Sequence, residues 1–496
     1  MIITVDAPDI YRPGIDDVVR VFYPGCTIKT GNPDIGADIK LNIMVDVQQP
    51  YLLARGQLKS EAGESGHLEQ SQLKHGINER HEARRLARLV VFRLLEKFTH
   101  GQPSPWGIMT GIRPAKVVHR LLDEGFTASE VKAKLADEFA VTPDKAELVT
   151  GIALFQRHYL ADEPSCSHKV GVYIGIPFCP SRCLYCSFPA YPRDKHRQWL
   201  APFVDALLRE IEATGRALRS NPLSVSLSCI YIGGGTPTCL EPAQLDAVLA
   251  SANRHLRTAD TTEFTVEGGR PETLTAEIIG ICQAAGVDRL SINPQTMQNR
   301  TLQAVGRQHT VSDVVLAMER ARTAGFATIN MDVIAGLPGE TVKDMRDTME
   351  QITVLRPENL SLHTLAVKKA SRLRWEVSKQ PMPSATETAA MMEIARHRAQ
   401  MQGMLPYYMY RQKNTLGNQE NIGYTLPGHE CLYNIMTIEE SHTVLGLGAG
   451  AGSKYLRPDG VYINQFNPKE PWLYIKRLDE VIKKKETGLD EATKKV

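Results

Sequence analysis

The chain has 496 residues, 42% of them apolar and 23% charged, with a formal net charge of +2. That length allows about two to four domains, and the near-neutral balance excludes the strong electrostatic field that a nucleic-acid partner calls for. No apolar run reaches the length of a bilayer span, no signal segment opens the chain, and the nine mostly scattered cysteines do not read as a disulfide framework, so a reducing, cytoplasmic setting without membrane insertion or nucleic acid is expected.

In chain order, residues 1–60 alternate as strands do, most clearly in ADIKLNIMVDVQ, where Ile39, Leu41, Ile43, Val45 and Val47 share one face. Residues 61–80 are polar and read as a loop. The period then turns helical in HEARRLARLVVFRLLEKF and in FTASEVKAKLADEF, the second opened by a Thr127–Glu130 capping box. Between them lies the loop PSPWGIMTGIRPAK, where Arg113 and Lys116 stand out, and DEPSC at 162–166 reads as a linker. Residues 1–165 are therefore taken as an N-terminal accessory domain of strands followed by helices.

A new rhythm begins after residue 168. Six short β-rich runs follow, VGVYIGI (170–176), SCIYIGG (228–234), EFTVEGG (263–269), RLSINPQ (289–295), TINMDVIAG (328–336) and NLSLHTL (359–365), each trailed by a helix-period segment. Leu200, Phe203, Leu207 and Ile211 mark the first such segment, and Val311, Val314, Val315 and Met318 the fourth. Strand–helix alternation predicts a parallel sheet with right-handed crossovers. Six units suggest an α/β fold built on an open, partial (β/α)6 barrel over 166–380. Residues 381–496 are then expected to form a mostly helical C-terminal domain covering the substrate. In such folds chemistry gathers at the C-terminal ends of the strands. Each run here ends in polar or glycine-rich residues, which predicts one composite site.

The first run leads into PFCPSRCLYCSF, which places Cys179, Cys183 and Cys186 within eight positions. Thiolates at this density hold zinc or an iron–sulfur cluster. A zinc loop would need a distant fourth ligand, such as Cys166 or His168. A four-iron cube would use three thiolates and leave one iron open to a small molecule.

With an aromatic residue, Tyr185, before the last cysteine, the CxxxCxxC motif resembles the radical S-adenosylmethionine signature. IPFCPSRCLYC followed by YIGGGTPT is similar, more narrowly, to the oxygen-independent coproporphyrinogen III oxidase (coproporphyrinogen dehydrogenase) family, over roughly residues 170–455. The N-terminal domain, GIRPAK and RQKNTLGNQENIGY resemble its longer, HemZ-like branch. The resemblance implies a radical SAM partial barrel with a 4Fe-4S cluster on Cys179, Cys183 and Cys186, and S-adenosyl-L-methionine on the open iron. It implies cofactor contacts from Tyr173, Tyr185, Gly234, Gly235, Thr236, Glu267, Gln295, Arg307, Asp332 and Ala366. It further implies hydrogen abstraction from coproporphyrinogen III propionates, loss of carbon dioxide and formation of vinyl groups, giving protoporphyrinogen IX for anaerobic haem biosynthesis, with flavodoxin or ferredoxin as electron donor to a monomer. Arg270, Lys368, Lys369, Arg411 and Lys413 are candidates to hold the substrate carboxylates.

The chain departs from the family pattern at Gly175, where most relatives carry His, and the triplet is followed by Ser187. One rival function is haem delivery, since chaperone-like members of the family carry an HNxxYW-like motif. Here the region reads GHECLYNIMTIEE: it keeps Asn434 but has Tyr433, Thr437 and Ile438 where His, Tyr and Trp would stand, although His429 and Cys431 are potential iron ligands. A second rival is another radical reaction on a tetrapyrrole, such as methyl transfer with haem ring opening.

Overall fold

The alternation in ADIKLNIMVDVQ folds into the centre of a five-stranded sheet. This sheet consists of β1 (Ile2–Asp6), β2 (Thr27–Thr30), β3 (Ile39–Gln48), β4 (Tyr51–Ser60) and β5 (Gly63–Gln72), in the order β2-β1-β3-β4-β5. The structure, a computed structural model, describes residues 1–30, 37–72, 78–101, 104–160, 169–221, 226–376, 381–457 and 460–493. The linker reading at 162–166, with Cys166 and His168, lies outside the described residues.

Ile39, Leu41 and Ile43 are buried as their shared face predicts, whereas Val47 at the far end of β3 is 47% exposed. The loop expected over 61–80 is instead largely β5, antiparallel to β4 from Ser60↔Gly63 to Tyr51↔Gln72. It escaped the pattern because it is an edge strand of polar residues, with no apolar alternation to reveal it.

The two predicted helices are present. Helix α1 (Arg12–Phe22) precedes α2 (Glu79–Thr99), whose Asn78 cap accepts from the His81 amide. Helix α2 packs so closely on β4 that a Cβ on Gly56 would lie 2.4 Å from Val90. Helices α3 (Ala115–Asp123), α4 (Ala128–Phe139) and α5 (Pro143–Arg157) follow. The Thr127–Glu130 capping box forms reciprocally, with Thr127 N donating to Glu130 Oε2 at 2.8 Å and Glu130 N to Thr127 Oγ1 at 3.3 Å. Met1–Ala153, together with Arg411–Lys413 and Gly417–Gln419, makes one compact unit, and the rest of the chain makes the other.

The second unit begins with β6 (Lys169–Ile176), the two-residue β7 (Phe178–Cys179) and β8 (Tyr191–Pro192), then α6 (Leu200–Ser220), β9 (Ser226–Gly234), α7 (Pro242–His255), β10 (Glu263–Glu267), α8 (Ala276–Ala284) and β11 (Arg289–Ser291). It continues with α9 (Asn299–Ala304), α10 (Val311–Thr323), β12 (Thr328–Ala335), α11 (Val342–Leu355) and β13 (Asn359–Thr364). The six expected strands lie side by side and parallel in the order β6-β9-β10-β11-β12-β13. The helical apolar faces pack inward as read: Leu200, Phe203, Leu207 and Ile211 are buried on α6, and Val314 and Met318 on α10.

Residues beyond 364 supply α12 (Leu373–Glu376), α13 (Ala385–Met401), β14 (Leu405–Tyr410), β15 (Asn421–Thr425), α14 (Leu432–Glu439), β16 (Thr443–Gly448), β17 (Gly452–Leu456), β18 (Tyr462–Phe466), α15 (Pro471–Lys476) and α16 (Leu478–Thr493). Alongside its helices, this C-terminal stretch extends the sheet at both edges. β16 adds a seventh parallel strand beside β6, carrying β17 and β18, while beyond β13 lie β15, antiparallel to it, and β14, antiparallel to β15. The α/β sheet is therefore open, as the count of units predicts. Among the described residues no helix is long and apolar enough to cross a membrane.

Helix α16 is anchored through a buried ion pair. Lys485 Nζ lies 3.4 Å from Glu210 Oε1 on α6 and donates to Gly446 O at 2.6 Å. Glu210 also accepts from Gly448 N at 2.7 Å, Asn467 Nδ2 at 3.1 Å and Tyr474 Oη at 2.6 Å.

Candidate active site

β6 runs straight into the cysteine loop. Pro177 prevents β6 from continuing, and β7 then pairs with β8, so that Cys183 and Cys186 are presented from the loop between them. Neighbouring strand ends fasten this loop: Leu184 N donates to Val305 O at 2.9 Å, Ser181 Oγ to Gly306 O at 2.8 Å, and Leu373 N to Leu184 O at 2.9 Å. Cys179 and Cys183 are buried and Cys186 is partly exposed. Burial pushes the Cys179 thiol up to about 11, against the Thr236 hydroxyl, 3.5 Å from its sulfur. A buried thiol that resists ionising alone gives up its proton when a metal binds.

The glycine loop after β9 lies directly on this segment. Gly235 N donates to Ile176 O and Thr236 N to Phe178 O, both at 2.7 Å. A Cβ on Gly235 would stand 2.4 Å from Phe178 O, and Gly234 holds φ at +108°, so both positions need glycine. A Cβ on Gly233 would lie 2.5 Å from Glu267 Oε2, so the missing side chain makes room for that carboxylate.

Glu267, at the end of β10, is pushed up to about 8 by burial, with the Asp332 charge adding to the effect; Asn293 Nδ2 approaches it at 3.3 Å. Gln295 sits at φ +70°, a strained value for a residue with a side chain. Its backbone bridges to β12, donating to Asp332 O and accepting from Ile334 N, both at 2.9 Å. Arg307 is buried and donates to Gly269 O at 2.7 Å, Asn293 O at 2.5 Å and Tyr185 Oη at 3.3 Å. Gln295 Oε1 and Arg307 Nε are nevertheless buried without a hydrogen-bond partner. Buried polar atoms are seldom left unpaired, so such a pair marks a place for a polar ligand. Asp332 is held by Asn330 Nδ2 at 2.8 Å.

The structure thus gathers Tyr185, Gly234, Gly235, Thr236, Glu267, Gln295, Arg307 and Asp332 around the cysteines, at the C-terminal ends of neighbouring strands. Ala366 forms an isolated bridge with Thr415. Tyr173 stacks with Tyr231 (centroids 6.2 Å apart) and with Tyr433 (5.8 Å), and the latter two stack at 4.5 Å. Tyr231 was detectable in the sequence, because YIG recurs in both strands and the pairing aligns Tyr173 with Tyr231. Tyr433 arrives from α14, and nothing local points to it.

The expected substrate cations fare differently. Arg270 is buried and donates to Ser181 O at 2.8 Å and toward Cys183 Sγ at 3.2 Å, so it is part of the cysteine loop rather than a carboxylate fork. Arg411 donates to the Met109 and Asn418 carbonyls, and Lys413 pairs with Asp17 at 3.0 Å, all within the N-terminal unit. Lys368 and Lys369 follow β13 as read. Arg113 of GIRPAK lines a cavity of about 130 Å³ in the N-terminal unit with Arg88, Gly111 and Phe139.

The potential iron ligands near α14 are also committed. Glu263, the first residue of β10, accepts from Leu432 N at 2.6 Å and Cys431 Sγ at 3.3 Å, capping α14. His429 Nδ1 lies 2.7 Å from Thr328 Oγ1, and its carbonyl accepts from Arg289. These contacts lie at the starts of β10, β11 and β12, the edge opposite the cysteines.

The donor set fits an iron–sulfur cluster. Cys179, Cys183 and Cys186 come together on one short loop, the thiolate donor set that an iron–sulfur cluster takes. The thiols also have N–H and O–H donors aimed at sulfur, which stabilise cluster charge.

Open parallel sheet, three-cysteine loop, glycine cradle and unpaired polar rim define a radical SAM protein, and residues 173–352 match the Radical SAM superfamily model. Along nearly its whole length the chain is 35% identical to the oxygen-independent coproporphyrinogen-III oxidase-like protein HemZ of Bacillus subtilis (strain 168), covering 98% of this chain and 97% of that protein. The chain therefore belongs to the oxygen-independent coproporphyrinogen-III oxidase-like family of radical SAM proteins, whose cofactors are a 4Fe-4S cluster and S-adenosyl-L-methionine. It is also 32% identical to the heme chaperone HemW of the same organism, over 56% of this chain and 69% of that one. Among solved structures, coproporphyrinogen III oxidase (HemN) from Escherichia coli is similar with TM-score 0.49 and 23% identity, covering 66% of this chain and 73% of that chain.

Proposed function

We propose that this protein oxidatively decarboxylates coproporphyrinogen III propionates to vinyl groups, giving protoporphyrinogen IX. In this reading Cys179, Cys183 and Cys186 hold the cluster. Glu267, Gln295, Arg307 and Asp332, with the backbone of Gly234 to Thr236, bind S-adenosyl-L-methionine. When bound, these cofactors supply a one-electron cleavage that delivers a carbon radical able to abstract hydrogen. The chain's own work is positional. Its glycines let backbone approach the cofactor, its rim orients the polar groups, and Phe178 and Leu184, packed into the apolar core, anchor the cysteine loop. In this reading Lys368 and Lys369, which follow β13, meet substrate carboxylates, and a flavodoxin or ferredoxin supplies electrons.

The observation that carries the radical reaction is the pair of buried, unpartnered atoms, Gln295 Oε1 and Arg307 Nε, beside the three cysteines. The choice of substrate rests on the full-length similarity to a coproporphyrinogen-III oxidase-like relative. Haem delivery, suggested by the HemW relatives, is disfavoured by His429 and Cys431 being engaged with Thr328 and Glu263.

The test is anaerobic reconstitution with S-adenosyl-L-methionine, a reductant and coproporphyrinogen III. Formation of 5′-deoxyadenosine together with vinyl products is expected. Cofactor cleavage without decarboxylation would sink the substrate assignment, and stoichiometric haem binding without cleavage would favour delivery. Cys183→Ala is expected to abolish the cluster's visible absorbance.

A further inference from the structure

Two buried arginines face Cys183 Sγ, Arg307 at 3.8 Å and Arg270 more closely at 3.2 Å. The Arg270 side chain is 3% exposed. Nη2 donates to Ser181 O at 2.8 Å, to Ser181 Oγ at 3.0 Å and toward Cys183 Sγ at 3.2 Å, while Nη1 reaches Glu272 Oε1 at 3.5 Å. On its other side Glu272 Oε2 lies 3.1 Å from Nδ1 of the buried His309, a contact without hydrogen-bond geometry. Ser181 Oγ in turn donates to Gly306 O. A chain of contacts thus runs His309–Glu272–Arg270–Cys183, connecting the end of β10 and the start of α10 to one thiol of the triplet.

An arginine that only tied the loop to the barrel needs its bonds to the Ser181 backbone and nothing more. This one also sets a permanent positive charge within hydrogen-bonding distance of sulfur, in a site where water cannot screen it. N–H donors and positive charge beside a cluster thiolate favour the more negative, reduced state of the cluster. The second shell that orients a metal ligand is as much part of the site as the ligand.

We propose that Arg270 is a positioning residue for the cluster. Held by Glu272, it fastens the Ser181–Cys183 loop and stabilises the reduced cluster through Cys183. The inference rests on the cluster at Cys183 and not on the tetrapyrrole reading, so the two can fail separately.

The test uses the reconstituted full-length holoprotein. The cluster's midpoint potential is followed by paramagnetic resonance during reductive titration, and iron release to a chelator is timed. Arg270→Gln is expected to move the potential to more negative values and to speed iron release about tenfold, the lower end of second-shell effects. Arg270→Lys keeps the charge but loses the fork, so it is expected to recover most of the potential while still releasing iron faster than wild type. A wild-type potential in fully loaded Arg270→Gln overturns the proposal, because a mere strut would alter release alone. If Arg270→Gln takes up no iron, Arg270→Lys decides: wild-type iron release in that variant overturns the proposal. A wild-type protein that shows no cluster signal would instead sink the cluster assignment itself.

Discussion

Two glutamates in the second unit show how the same side chain serves two purposes. Glu210 on α6 is completely buried and fully answered: a lysine, a tyrosine, an asparagine and a backbone amide converge on its two oxygens. Glu267 at the rim has the Gly234 backbone, the Asn293 amide and the Arg307 charge on its side, yet burial and the neighbouring Asp332 carboxylate push it up to about 8. A buried charge that maintains architecture arrives with its partners, while perturbed carboxylates gather at functional sites. The helix locked by Glu210 is held by an ion pair, whereas Glu267 is buried beside a second carboxylate without a cation bonded to it among the described residues.

The contrast can be broken most severely at Lys485. Lys485→Met leaves Glu210 without its cation and should destabilise the protein by roughly 3–5 kcal/mol in chemical denaturation, the usual effect of removing one partner of a buried pair. A loss below about 1 kcal/mol would show that the Glu210 cluster is not the anchor described here.

Glu267 should behave in the opposite sense. Its folded value of about 8 lies above the 4.5 of an ordinary glutamate. Between those values the folded cofactor-free protein keeps a proton that the unfolded chain has released, so stability should fall as pH rises from 4.5 to 8 and level off above that. Glu267→Gln should remove this dependence and raise the melting temperature at pH 8 by a few degrees, about the scale of 1–2 kcal/mol. It should also weaken S-adenosyl-L-methionine binding. A variant with the wild-type pH profile would show that Glu267 is not the strained carboxylate of the pair. The smallest effect is expected away from both glutamates. Thr127→Ala removes the capping box of α4 and should cost about 1 kcal/mol, with cluster absorbance unchanged.

Much of this was legible in sequence. The six parallel strands, the cysteine loop and the glycine cradle are local patterns, written in alternation, spacing and the conformational freedom of glycine. Gln295 and Arg307 were legible through their resemblance to family motifs, and the structure brings them to one rim. Arg270, Arg411 and Lys413 read in sequence as candidates for substrate carboxylates, and the structure gives each a partner in the chain; an arginine or lysine carries the same charge whether it meets a ligand, a thiol or an aspartate. Their partners, Cys183, the Met109 carbonyl and Asp17, lie 87, 302 and 396 positions away in the chain. β5 was missed because a polar edge strand has no buried face, and β16 because its apolar run is far in sequence from the strand it pairs with.

By itself, the sequence determined what short-range physics can set: which segments are strands or helices, where three thiols crowd one loop, and where only glycine fits. Tertiary structure decided which charges are spoken for and which are left open. That distinction depends on desolvation and on partners hundreds of residues away, and neither is visible until the chain has closed around them.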